Sequence, residues 1–186
     1  MKLMRYVGLM WLGLMTPASA QNLLANGTFD TDVSGWFAFT TITHASDEGA
    51  PISGQGSLLN TGVFNNNSSF PAISDPFVVT PGHWYLTGAS YKVPAASPVP
   101  WAWYQIFWYD AGELEVGRSD MVSGVFGAPK DQWHDMAGLS QAPANAATGE
   151  LRIYLQTAET GNPDVPFGLW DDVFVLPDTV FYSNFD

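Results

Sequence analysis

The seven residues "ELRIYLQ", Glu150 to Gln156, carry the clearest structural signal in the chain. Leu151, Ile153 and Leu155 alternate with Glu150, Arg152, Tyr154 and Gln156. Successive side chains of a β-strand point to opposite faces, so the pattern predicts a strand with one apolar and one polar wall. The stretch "WAWYQIFWYD" (101–110) is aromatic on both walls. One register holds Trp101, Trp103, Gln105, Phe107 and Tyr109; the other holds Ala102, Tyr104, Ile106, Trp108 and Asp110. Gln105 set against Ile106 assigns the first register to the face away from the core. A row of rings in a strand equally suits a core, but six large rings in ten residues exceed what one strand easily buries.

Outward from these two stretches, short β-prone runs recur at 23–25, 36–40, 57–59, 73–79, 84–93, 113–119, 132–137, 169–176 and 180–182. Gly, Pro, Asn and Asp separate them. The segments 64–71, 93–100 and 141–149 read as loops. No helical period follows residue 20, and no internal repeat is present. Many short strands without helices predict an all-β sandwich or barrel.

The first 20 residues have a different character. Lys2 and Arg5 precede an apolar run, Val7–Met15, and Ala18-Ser19-Ala20 is a small-residue cleavage pattern. Nine apolar residues are too few to span a bilayer, so the segment reads as a signal peptide cut after Ala20, with a secreted or periplasmic product. Residues 21–178 then form one domain and 179–186 an aromatic, acidic tail. The chain has no cysteine, so stability outside the cell rests on the core or on a metal. After cleavage four basic residues, Lys92, Arg118, Lys130 and Arg152, face 18 acids, a net charge near −14. That charge argues against nucleic acid and anionic membranes and favours neutral or cationic partners.

The start of this domain, "NLLANGTFDTDVSGWFAF" (22–39), and its last strand, "LWDDVFVL" (169–176), carry a paired motif. With Gly56-Ser57-Leu58-Leu59 between them, they resemble the carbohydrate-binding modules of the family 4, 9 and 22 group that accompany cellulases and xylanases. The resemblance covers most of residues 21–176, and its two end motifs are specific together and weak apart. It implies a jelly-roll β-sandwich of two antiparallel sheets. It also implies a calcium ion between the first loop and the last strand, held by Asp171 with the backbone oxygens of Thr28 and Gly56. Asp30, or Asp47 or Glu48, adds a carboxylate. Calcium accepts several hard oxygens at flexible angles, which agrees with this set. Adjacent Asp171 and Asp172 point to opposite faces and cannot both serve one ion. Turn capping by Asp30 and Asp32, with Asp171 on backbone amides, explains the same residues without a metal.

The resemblance further implies one sheet face that binds a single polysaccharide chain of the xylan, β-glucan or cellulose kind. Phe39, Trp101, Trp103, Gln105, Phe107, Tyr109, Arg152, Tyr154 and Gln156 are the candidates. Rings at alternate positions of 101–109 stand about 6.5–7 Å apart along a strand. Trp36, Trp84, Trp133 and Trp170 are assigned to the core or to sheet edges. Catalytic signals are poor. Glu113 and Glu115 share a face, as any i,i+2 pair in a strand does, and the three histidines have no ligand spacing. The expectation is a monomeric, non-catalytic, calcium-stabilised binding module. A small jelly-roll lyase or hydrolase, and a structural matrix domain without a glycan site, remain alternatives.

Overall fold

The computed structural model describes residues 21–62, 69–157 and 165–178. The predicted signal peptide, residues 64–68 of the first loop, and the 179–186 tail with its predicted 180–182 strand lie outside them. Twelve strands follow in order: β1 Trp36–Ala38, β2 Thr41–Ala45, β3 Ser57–Thr61, β4 Ser69–Ser74, β5 Phe77–Val78, β6 Trp84–Lys92, β7 Trp101–Tyr109, β8 Glu115–Arg118, β9 Val122–Ser123, β10 Trp133–Gln141, β11 Thr148–Gln156 and β12 Phe167–Pro177. Among the described residues there is no helix.

The strands form two antiparallel sheets. Seven belong to sheet A, in the order β1-β4-β11-β7-β8, with β5 also on β11 and β9 also on β7; five belong to sheet B, in the order β10-β6-β12-β3-β2. This is an all-β sandwich, one of the two forms that the strand pattern predicted, with the jelly-roll arrangement that the resemblance implied. The two stretches read first are neighbours at its centre: Arg152 lies opposite Gln105, Tyr154 opposite Trp103 and Glu150 opposite Phe107.

Alternation explains where the core sits. Leu151, Ile153 and Leu155 of β11, and Ala102, Tyr104, Ile106 and Trp108 of β7, are fully buried. They meet Tyr85, Ala89 and Tyr91 of β6 and Trp170, Val173 and Val175 of β12. The assignment of the Ala102–Trp108 register to the core is therefore met. The Tyr104 hydroxyl stays satisfied in this setting by a 2.9 Å hydrogen bond with Thr87 Oγ1. Trp36 and Trp170 are buried, while Trp84 and Trp133 lie on β6 and the edge strand β10.

Several local predictions need correction. Residues 23–25 form a bend, not a strand. Asn22 replaces a ladder there: its Nδ2 donates to Val173 O, and its Oδ1 accepts from Leu24 N and Val175 N. The 73–79 run splits into β4 and β5, because Pro76 has no amide hydrogen and Asp75 N donates to Gly35 O instead. β2 was missed, since Ile42 is its one large apolar residue and it pairs only with β3 at the sheet edge. The two-residue β9 carries no periodic signal.

Candidate functional site

The Asn-Gly turn of the first motif is a packing device. An added Cβ on Gly27 would lie 2.0 Å from Val173 O, so only glycine lets the turn approach β12. Val173 N donates to Gly27 O at 2.8 Å, and Leu23 N to Val175 O at 2.9 Å. Asn26, at φ 52°, donates through Nδ2 to Asp32 O, Asp32 Oδ1 and Ser34 O. Hydrogen bonds from Ser34 hold the Asp32 carboxyl below the usual range. Trp36 closes the loop, with its ring edge-on to Phe29 at 5.3 Å and Nε1 donating to Ala25 O.

The proposed metal ligands gather around this loop. Asp171 is fully buried and has no Lys or Arg partner among the described residues. Its Oδ2 accepts from Ala50 N at 2.7 Å; its Oδ1 accepts from Asp172 N at 2.7 Å and Ser53 Oγ at 3.2 Å. Burial pushes its pKa up to about 6 despite those donors. The Gly56 backbone packs against the carbonyls of Phe29 and Asp30, and Gly54 packs against the Asp30 carboxylate. Thr28 Oγ1 donates to Asp30 Oδ2 at 2.9 Å. His44 Nε2 lies 2.8 Å from Phe29 O. Glu48 is ion-paired to Lys92. Asp172, at φ 47° where β12 slips register, lines a 410 Å³ pocket with Thr28, Ser90, Asp135 and Phe174. Regular alternation is interrupted at these two aspartates by the register shift of β12. Among the described residues no three His, Cys, Asp or Glu side chains form a metal cage. The donor set therefore fits calcium only with main-chain oxygens supplying much of the shell. An uncompensated buried carboxylate is the group that such an ion would stabilise.

A second set of side chains covers the outer face of sheet A. Ile73, Phe107 and Tyr154 are 1%, 5% and 9% exposed, yet none belongs to the core cluster. They are buried by neighbours on the outer face itself. Trp103 stacks on Tyr154, with ring centroids 3.8 Å apart and planes within 7°. Phe107 has the Arg152 guanidinium 3.7 Å and the Arg118 guanidinium 4.2 Å from its ring centroid. Arg152 Nη2 donates to Tyr109 Oη at 2.6 Å and to Glu150 Oε2 at 2.9 Å, and Tyr109 Oη donates to Glu150 Oε2 at 3.1 Å. Arg118 makes a two-point contact with Glu115. That hydrogen bonding holds the Glu115 carboxyl below its usual range. Burial raises the pKa values of Tyr109 and Tyr154, opposed by the charge of Arg152.

The remaining predicted ligand residues flank this network. Gln105 Nε2 donates to Ser119 O at 2.6 Å and Trp101 Nε1 to Gly124 O at 3.1 Å. Gln156 lies opposite Trp101 across β11 and β7. Phe39 lies just beyond β1 and is 84% exposed. The sequence reading passed over Phe37, which is 44% exposed and whose ring meets that of Phe39 at 6.3 Å and 85°. Its signal was available in "WFAF", where alternation places Phe37 and Phe39 together opposite the buried Trp36. At the Tyr109 end the face opens into a 440 Å³ pocket lined by Glu150, Thr148, Asp110 and Glu113.

No protein-family model matches the chain, and no characterised relative does. Solved structures do. The Clostridium thermocellum endo-1,4-beta-D-xylanase 10B CBM22-1–GH10 modules, complexed with xylohexaose, align over 86% of this chain and 29% of theirs, at TM-score 0.63 and 17% identity. The CBM22-2 xylan-binding domain from Paenibacillus barcinonensis Xyn10C aligns over 82% of this chain and 98% of its own, at TM-score 0.60 and 14% identity. The enzymatically active domain of bacteriophage CBA120 tailspike protein 4 aligns over 84% of this chain, at TM-score 0.62 and 15% identity. This chain spans 21% of that tailspike domain. At these identities the likeness establishes fold: the chain has the β-sandwich fold of carbohydrate-binding modules.

Proposed function

We propose that the chain is an exported, monomeric, non-catalytic module that binds a neutral β-linked polysaccharide of the xylan, β-glucan or cellulose type through the outer face of sheet A. One observation carries the reading. Outside the core, this face joins aromatic rings to a charge-balanced network, Arg152 with Glu150 and Tyr109, and Arg118 with Glu115. Sugar hydroxyls donate and accept, so alternating guanidinium and carboxylate groups match them, while rings match their C–H faces. Each arginine on this face is cancelled by a glutamate, and the protein is strongly acidic overall, so a polyanion gains little here. The xylan-binding neighbours support the ligand class.

The carboxylates on this face speak against hydrolysis. A glycosidase needs one carboxyl with a raised pKa as general acid. Glu115 is shifted the other way, and Glu150 is tied to Arg152 and Tyr109. Burial pushes Tyr109 away from the phenolate that a lyase base requires.

Calcium is the second half of the proposal. Asp171 and the backbone oxygens of Thr28 and Gly56, with the Asp30 carboxylate, would hold it. When bound, the ion would supply the positive charge that the buried Asp171 lacks and brace the loop behind Trp36.

Affinity electrophoresis of residues 21–178 on xylan, mixed-linkage β-glucan, hydroxyethylcellulose and alginate tests the ligand class, alongside an assay for newly formed reducing ends. Retardation on a neutral glycan without new reducing ends is expected. Release of new ends moves the chain to the enzyme class; free migration on every glycan removes the reading.

A further inference from the structure

The sequence pattern suggests a ligand running along β7, from ring to ring. The side-chain arrangement points elsewhere. A sugar stacks by laying its C–H groups on an open aromatic face, and the rings in the middle of sheet A have few such faces. One face of Trp103 and one of Tyr154 are spent on each other, and Tyr154 is nearly buried. Phe107 is covered by two guanidinium groups. The Tyr109 hydroxyl is tied to Glu150 and Arg152.

Open rings occur at the edge of the same face. Phe37 belongs to β1, the outermost strand, and Phe39 follows directly after it. Single exposed phenylalanines need no explanation. These two touch each other, and the sheet continues from them into the polar network. Phe37 lies opposite Ile73 of β4, Ile73 opposite Arg152 of β11, and Arg152 opposite Gln105 of β7. Three strand spacings separate Phe37 from Gln105, or about 14 Å.

We propose that Phe37 and Phe39 are the stacking platform of this face and that the polysaccharide crosses the strands, from β1 over Arg152 and Tyr154 towards Gln105 and Trp103. This rests on the glycan reading above and gives that site its orientation and anchor. The central rings then act as a rigid floor: Phe107 fixes the Arg152 guanidinium that bonds hydroxyls, Tyr154 holds the Trp103 ring in place, and the β1 pair supplies the apolar contact. The 85° between the two rings adds a requirement on the ligand. Rings at right angles cannot both lie on one flat crystalline surface. They fit a single chain in solution whose successive sugars turn relative to one another. Among the described residues no strand lies beyond β1 in the sheet, so such a chain passes over the edge and is read internally, without needing a chain end.

The test is calorimetric titration of residues 21–178 with soluble xylan, comparing wild type, Phe37→Ala, Phe39→Ala, Phe39→Trp and Ile52→Ala. Ile52 is exposed and lies on the pocket of the other sheet, so it serves as a control. Phe39→Ala and Phe37→Ala are expected to weaken binding about tenfold or more. Phe39→Trp retains affinity and Ile52→Ala changes nothing. Phe39 is mostly exposed, so its alanine variant keeps the wild-type unfolding midpoint, which separates lost contact from lost fold. Wild-type binding that survives both alanine substitutions overturns the platform while leaving the glycan reading intact. Substitutions that alter self-association but not xylan affinity also overturn it, because they make the pair a contact between copies. A wild type that binds no xylan sinks both.

Discussion

Asp171 gives a pH-dependent stability effect whose size depends on calcium. Its carboxyl is fully buried, and burial raises its pKa from the ordinary 3.8 to about 6. Because the folded value lies above the unfolded one, the native state binds more protons between pH 4 and 6, and stability falls as pH rises through that window. At pH 7 the penalty is complete. A displacement of about two units corresponds to about 3 kcal/mol, or roughly 6–12 °C in Tm for a domain of this size. The amide of an Asp171→Asn variant cannot titrate, and its altered hydrogen bonds to Ala50 N, Asp172 N and Ser53 give a constant offset. Other carboxylates shift oppositely: Asp32 and Glu115, with depressed values, lose their contribution as pH falls. They are common to both proteins and cancel in the difference. In EDTA, the Tm of wild type minus that of Asp171→Asn is therefore expected to drop steadily from pH 4 to pH 7. Calcium requires the ionised carboxylate, so in millimolar calcium the drop over the same range should be largely abolished. A hundredfold excess over Kd adds about 2.7 kcal/mol, enough to offset most of the penalty. Scanning calorimetry at five pH values, with chelator and with calcium, reads both curves. A flat difference in EDTA refutes the raised pKa of Asp171; identical curves with and without calcium refute the metal site.

Gly27→Ala places a methyl group into Val173 O and is expected to unfold the domain or lower its urea midpoint sharply, by more than about 3 kcal/mol from loss of the turn-to-strand bonds. Trp108→Ala empties a fully buried site and should cost about 3–5 kcal/mol in chemical denaturation. Trp103→Ala, on the outer face, should leave the fold in place by circular dichroism and weaken glycan binding several-fold in affinity gels. Arg152→Lys keeps the charge but loses the planar cover on Phe107 and the bond to Tyr109. Calorimetry should then show weakened binding with a stability change below about 1 kcal/mol.

The fold was legible wherever one wall of a strand is apolar. The alternation in β11 and the Gln105–Ile106 contrast in β7 assign both faces of the central strands, and burial follows them except at Phe107 and Tyr154, which are covered on the outer face. β2 was not legible, because an edge strand buries little and "TITHA" shows no alternation. The irregularity of β12 at Asp171–Asp172 was not legible, because no local pattern marks a register shift. What the local sequence did not contain was cross-strand chemistry. Nothing in "WAWYQIFWYD" says that an arginine of β11 will lie over Phe107, or that Tyr154 will take up one side of Trp103. Those contacts depend on register between segments some 50 residues apart. The same register explains why nine candidate residues, read as one surface, separate into a buried floor, a bonded network and an exposed edge.

The most direct measurement is an isotope-labelled titration of residues 21–178 with xylohexaose, following backbone amide and tryptophan indole resonances by NMR. Glycan binding on the outer face of sheet A requires the perturbed resonances to cluster at Phe37–Phe39, Trp103–Tyr109 and Glu150–Tyr154, with Trp133 and the outer face of sheet B unchanged. Perturbations centred on sheet B, or none at millimolar ligand across a panel of neutral β-glycans, would contradict it.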